Sequence, residues 1–223
     1  MARKRRESRE PVTLDIQALT HEGKGIAEID GKKIFVAGAM PGERVSAQIV
    51  KSRRSYSEAI TLSVEVASAQ RIQARCAAFG VCGGCSLQHL EHAAQVEHKQ
   101  SVLLENLRRI GKLDVNELAV PILSPGWSYR RKARLGVKYV HKKERVLVGF
   151  RERLKPYIAD MQRCEVLSST LESLPETLAA FIGSLSICAQ LPQVELAVAD
   201  NAVALVFRVL QTPSAQDIEL FAA

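Results

Sequence analysis

Residues 24–50 read KGIAEIDGKKIFVAGAMPGERVSAQIV, and the turn chemistry inside this stretch decides the fold of the first third of the chain. Asp30-Gly31 stands between two short alternating runs, Gly25–Ile29 and Lys32–Val36. A two-residue hairpin of type I′ needs positive φ at both central positions, which Asp-Gly accepts. Met40-Pro41-Gly42 makes a second turn, after which Glu43–Val50 alternates again. Upstream, Val12–Ala18 leads into the turn His21-Glu22-Gly23; downstream, Glu58–Val66 completes a fifth run. Five short strands within about 55 residues leave two edges that a small sheet must close or cover. Segment 11–67 is therefore expected to close into a five-stranded barrel.

Residues 1–10 read as a basic flexible arm and residues 67–75 as a polar connector. A helix is expected from Gln88 to Ile110, with Val96, Leu103, Leu107 and Ile110 on one face and Gly111 as its stop. Two strands follow, Tyr129–Val140 and Glu144–Phe150, joined across His141-Lys142-Lys143, with a short strand at Tyr157–Asp160. Ser168–Leu185 reads as a helix that Pro175 breaks or starts, and Gln193–Asp200 with Ala202–Leu210 as a hairpin. Ser214 and Asp217 stand in the positions of a capping box opening a last helix, with Asp in place of the usual Glu or Gln. The helix is cut short by the end of the sequence, which reads as a truncation. Segment 68–223 is thus expected to be a mixed α/β domain.

The composition excludes several classes. Of 223 residues, 47% are hydrophobic, too many for a disordered chain. No apolar run reaches the ~18–20 residues of a membrane helix, and the basic start lacks the apolar core of a signal peptide. The chain carries 31 Lys and Arg against 24 Asp and Glu. Residues 156–223 hold two of the basic and eight of the acidic residues, so residues 1–155 hold 29 basic against 16 acidic. Such asymmetry suits a polyanion partner, against the plainer reading of a solvated basic face.

Five cysteines, an odd number without a secretory signal, argue for thiols kept reduced in the cytoplasm rather than a disulfide framework. Cys82-Gly-Gly-Cys85 puts two sulfurs within reach of one centre, with Gly83 and Gly84 free to take positive φ and turn N–H groups toward them. Cys76 supplies a third thiol and Cys164, after the hairpin, a fourth. Three ligands from one loop and one from a distance suit an iron–sulfur cluster; paired short spacings are commoner for structural zinc, which stays open. His89, His92 and His98 are rival ligands, read as helix residues that are exposed or locally paired. Cys188, in an apolar helix end, reads as a core residue.

Residues 128–155 carry eleven cations against Glu144 and Glu152, with Trp127, Tyr129, Tyr139 and Phe150 among or beside them. Cations track phosphates and aromatic faces stack unpaired bases, a combination that fits single-stranded or looped RNA. Strand alternation sends Arg130, Lys132 and Arg134 to one face and Arg131, Ala133 and Leu135 to the other. Lys51, Arg53, Arg54 and Tyr56 repeat the pattern on the barrel. A sheet with one solvated basic face is the bland alternative.

Three stretches together resemble the S-adenosylmethionine-dependent RNA uracil-5-methyltransferases, in the branch that acts on 23S rRNA. His21–Ala27 with Gly31–Val45 resembles the TRAM domain, an OB-like RNA-binding barrel. Cys76, Cys82-Gly-Gly-Cys85-Ser-Leu-Gln88-His-Leu and Cys164 resemble that family's [4Fe-4S] ligand pattern, and Tyr129–Gly136 with Val148–Glu152 its central domain. The resemblance implies an OB-like TRAM barrel and a central domain whose cluster, held by Cys76, Cys82, Cys85 and Cys164, is structural. It also implies 23S rRNA as partner; from the basic patches the expected RNA contacts are Lys24, Lys51, Arg53, Arg54, Arg130, Arg131, Lys132, Arg134 and Arg151, in a chain expected to be a cytoplasmic monomer.

The family continues into a Rossmann-like domain with a Gly-rich cofactor loop, an Asp-Pro-Pro motif, a cysteine nucleophile and a glutamate base. None of these occurs in the 223 residues, and there is no G-x-G-x-x-G. Cys188 stands outside any nucleophile motif, so S-adenosylmethionine binding and methyl transfer are expected to need more than this chain. The competing classes are a stand-alone RNA-binding module and a zinc or redox protein.

Overall fold

A computed structural model describes residues 10–153 and 155–222. The basic arm expected over 1–10 lies, but for Glu10, outside the described residues. The described residues up to Ala74 form one compact unit with Ser86–Ile122; Arg75–Cys85 and those from Leu123 onward form a second.

The first unit is built on a sheet of order β1-β5-β6-β4-β3-β2, from β1 (Val12–Asp15), β2 (Ala18–Leu19), β3 (Lys24–Ile29), β4 (Lys32–Ala37), β5 (Arg44–Ser52) and β6 (Tyr56–Val66). The count differs from the five expected strands because the first run serves both edges. Its front half pairs with β5 and its back half with β3. Between the halves, the Ile16 N–H donates to the Glu43 carbonyl and that of Gln17 to Ile26, each at 2.8 Å. The chain thereby joins the two sheet edges, and the sheet closes. Asp30 (φ 49°) and Gly31 (φ 76°) make the expected hairpin turn. Three register shifts along β5 bend it round the core of Leu14, Ile16, Ile34, Val36 and Val45.

Connector and helix belong with this barrel. Arg71 bonds the buried Glu43 carboxylate and the Gly38 carbonyl. The helix α1 (His92–Arg109) begins four residues later than expected, and Leu90 and Ala94 pack with Met40. Its expected apolar face is only partly covered: Val96 and Leu107 are half-buried, whereas Leu103 is 55% and Ile110 80% exposed. The apolar period is real, but among the described residues little packs on it.

The second unit centres on an antiparallel sheet of order β10-β9-β7-β8: β7 (Lys132–Val140), β8 (Arg145–Gly149), β9 (Gln193–Val198) and β10 (Val203–Arg208). Its inner face (Leu135, Val148, Val194, Leu196) packs on Leu167, Ile182 and Leu191, and the helix α2 (Leu174–Gly183) lies across β8. Pro175 sits in the first turn of α2, where its missing N–H costs nothing, so the helix starts there and not at Ser168. The expected strand at Tyr157–Asp160 is reduced to one bridge, Arg151 to Ile158. The capping box holds: Ser214 and Asp217 bond reciprocally at the start of α3 (Ala215–Ala222). Ser186 also donates its N–H at 2.7 Å and its hydroxyl at 2.6 Å to that carboxylate, which these donors hold far below the usual carboxylate range.

Candidate nucleic-acid interface and cysteine site

The loop from Cys76 to Cys85 is stitched to the segment that follows β8. The Gly83 N–H donates to the Arg151 carbonyl at 2.9 Å, the Arg153 N–H to that of Val81 at 2.7 Å, and the Arg153 guanidinium to that of Cys85 at 2.5 Å. The glycines work differently from expectation. Positive φ falls at Gly80 (88°), not at Gly83 or Gly84. Those two are instead places of close approach: a Cβ on Gly83 would stand 3.1 Å from the Arg151 carbonyl oxygen, and one on Gly84 3.4 Å from Cys82 Sγ. The Gly84 N–H does turn to Cys82 Sγ, at 3.3 Å.

Cys164 belongs to the same unit. Arg75, next to Cys76, pairs at 2.9 Å with the buried Glu165 carboxylate, next to Cys164, tying the two cysteine-bearing segments. Arg163 adds a second cation to Glu165 at 2.8 Å. Cys82 and Cys164 are buried, Cys76 and Cys85 half-buried. Burial pushes the Cys82 thiol up against the Gly84 N–H, and Cys85, Cys164 and Cys76 push it further. Burial likewise raises Cys164, opposed by the Val166 and Leu167 N–H groups and helped by Cys85 and Cys76. The Cys82 sulfur thus feels the other three. Among the described residues, however, no three or more Cys, His, Asp or Glu stand as a metal-binding group. Thiols are donors that soft metals take, and the Gly84 N–H is turned to the Cys82 sulfur. His89, expected in the helix and either exposed or locally paired, precedes α1 and is 3% exposed in the barrel unit. Cys188 packs against the core of its own unit.

The cations named from the sequence divide by what already holds them. On the barrel, Lys24 pairs with Glu22 at 3.1 Å and Lys51 with Glu58 at 3.7 Å. Arg53 and Arg54 are exposed at the β5–β6 turn, beside Tyr56, whose ring lies 5.6 Å from that of Phe35. Sequence reasoning missed Phe35; its place opposite buried Ile34 and Val36 on an alternating strand was the available signal. In the second unit Arg131 bonds Asp200 at 2.6 Å, and Arg130 lies outside β7 with its guanidinium 4.9 Å above the Phe150 ring. Lys132 and Arg134 alternate outward as expected. Arg134 is 3.8 Å from Glu195, a carboxylate that Arg208 holds at 3.0 Å. Among the described residues no carboxylate pairs with Lys132 or Arg151. Arg130, Arg151 and Arg153 edge a shallow basin of about 540 Å3 floored by Gly83, Gly84 and Phe150. No helix among the described residues is long and apolar enough to cross a membrane.

Comparison with known proteins agrees with this layout. The TRAM domain family matches residues 5–62. The 23S rRNA (uracil(1939)-C(5))-methyltransferase RlmD of Alkalilimnicola ehrlichii is 47% identical over 99% of this chain and 49% of its own. That of Methylococcus capsulatus is 45% identical over 93% of this chain and 47% of its own. The structure of Pyrococcus abyssi tRNA (uracil-54, C5)-methyltransferase with S-adenosyl-L-homocysteine aligns with a TM-score of 0.62, over 94% of this chain and 48% of that one, at 20% identity, a likeness of fold. The chain spans about half the length of the curated relatives it matches. The chain thus carries a TRAM domain and is similar, along nearly its whole length, to about half the length of enzymes that bear the 23S rRNA (uracil-C(5))-methyltransferase name.

Proposed function

We propose that this chain is the RNA-recognition portion of an S-adenosylmethionine-dependent 23S rRNA uracil-5-methyltransferase. The observation that carries the reading is the set of cations without carboxylate partners, Arg151 and Lys132, beside Arg130 on Phe150, in a chain similar throughout to such enzymes. Cations free of internal partners are available to phosphate, and aromatic rings beside them to unstacked bases. Cys76, Cys82, Cys85 and Cys164 hold a [4Fe-4S] cluster in this reading, which supplies a covalent staple for the second unit. Arg75 and Glu165 keep its two ligand segments together. The barrel of 11–67 and the basic face of the second unit bind the RNA, and S-adenosylmethionine is bound outside these residues.

The test is binding of a fluorescein-labelled 23S rRNA fragment by the 223-residue chain purified without oxygen. Affinity is expected to fall linearly on a log–log plot against salt between about 50 and 200 mM, with a slope near 0.9 for each phosphate met in a duplex and 0.7 in a single strand. A flat salt dependence removes the reading. Iron and sulfide analysis of the same sample separates a cluster, brown with absorbance near roughly 400 nm, from colourless zinc. With labelled S-adenosylmethionine, no methyl transfer by the chain alone is expected.

A further inference from the structure

The outer face of the central sheet carries a cavity that the cysteine loop does not explain. Gly136 on β7 pairs directly with Gly149 on β8. With no side chains at either place, the returning chain lies on the sheet: a Cβ on Gly136 would stand 2.4 Å from Ile158 Cδ1, and one on Gly149 2.9 Å from the Met161 side chain. Beside this crossing lies a cavity of about 660 Å3, walled by Tyr157, Ile158 and Pro192 and edged by Arg134, Lys138 and Arg151. Its size is that of a small-ligand site.

The charges at its edge leave a positive surplus. Asp160 is taken by Lys143 and by Arg145 at 2.6 Å, and Glu152 by Lys155 at 3.4 Å. Lys138 and Arg151 have no carboxylate partner among the described residues. Tyr157 is 63% exposed, an aromatic ring held out at the mouth of an apolar slot. The shallow basin beside the cysteine loop shares Phe150, Arg151 and Glu152 with this cavity, so Arg151 serves both. A lone phosphate uses the cations and leaves the apolar walls idle. A paired base is held in its stack and cannot enter. An unpaired nucleotide matches both halves of the lining.

We propose that this cavity takes one unpaired RNA nucleotide, with its base against Tyr157, Ile158 and Pro192 and its flanking phosphates on Lys138 and Arg151, the strand running on over Arg130. The assignment rests on the RNA-binding reading above and places one contact within it.

The experiment is fluorescence anisotropy of the whole chain with a labelled oligouridine of about 12 nucleotides, and with a duplex of the same length, across the same salt range. Tyr157→Ala is expected to weaken oligouridine binding about tenfold with the salt slope unchanged, because a stacking contact and no phosphate contact is lost. Tyr157→Phe restores it, and duplex binding ignores both changes. Lys138→Glu weakens binding and flattens the salt slope by about 1. Tyr157→Ala binding within about twofold of the native chain, short of the stacking loss, overturns the assignment. If Arg53→Glu with Arg54→Glu then abolishes binding, the RNA-binding reading stands without it. No salt-dependent binding of either RNA by the native chain sinks both.

Discussion

Arg71→Ala is expected to destabilise the barrel unit by about 3 kcal/mol, the lower end of the range for stripping one partner from a buried ion pair. The Glu43 side chain has no solvent exposure, while Arg71 keeps 21%. Its carboxylate accepts two guanidinium bonds, at 2.6 and 2.8 Å, and the N–H groups of Met40 at 2.9 Å and Ser68 at 3.2 Å. Burial alone would raise its pKa; the Arg71 bonds and the two backbone donors outweigh burial and hold it below the ordinary carboxylate value. In the native chain this group therefore contributes stability above the ordinary carboxylate pKa, lost as pH falls through the lowered folded value. Without Arg71 its bonds and charge no longer lower the Glu43 pKa, and the folded value is expected to rise from its lowered position. The contribution then shrinks, and the deficit of Arg71→Ala narrows as the carboxylate is protonated. Urea midpoints of the two proteins at several pH values measure this. Equal midpoints at neutral pH, or parallel pH profiles, contradict the account. Glu43→Gln is expected to lose the pH dependence of this group.

That pair was invisible in the sequence for a physical reason. Glu43 follows a turn at Pro41-Gly42, where a carboxylate ordinarily faces water, and its partner is 28 residues away. What could be read was local: Asp30-Gly31, the strand alternation and the Ser214–Asp217 cap each depend on neighbours a few residues apart. The splitting of the first strand depends instead on where two sheet edges meet, a property of the closed barrel. The same limit explains α1, whose apolar period was legible although nothing local says whether a partner covers it. At the cysteine loop, composition gave the glycines but not their use. Gly83 and Gly84 are needed because backbone and sulfur approach them, and only the fold brings the Arg151 carbonyl there. The basic residues show the limit most clearly, since charge can be counted from sequence while its neutralisation cannot. Lys132 and Arg134 share one face of the strand, yet Arg134 stands 3.8 Å from Glu195 while no carboxylate among the described residues pairs with Lys132.

Cys164→Ala is expected to reduce bound iron to a small fraction of the native content in anaerobically purified chain and to lower the melting temperature of the second unit. Cys188→Ala should leave both nearly unchanged. The contrast is the argument, because each is a lone thiol downstream of the loop and packs in the same core. Burial pushes the Cys164 thiol up, with the Cys85 and Cys76 thiols adding to the rise. Metal binding to thiols that exist as a set only in the folded chain adds its free energy to folding, so loss of one ligand appears in both measurements. Glu165→Ala tests the support around the ligands. It removes the carboxylate that joins Arg75 to the Cys164 segment while leaving all four thiols, and is expected to weaken metal retention against a chelator about 10- to 100-fold. Arg75 and Arg163 are each about half exposed, so they can turn to solvent and the fold should survive. Iron retained in Cys164→Ala and lost in Cys188→Ala would require a different ligand set. Iron retained in both variants would show that Cys164 is not a ligand, and no iron in the native chain would remove the metal reading.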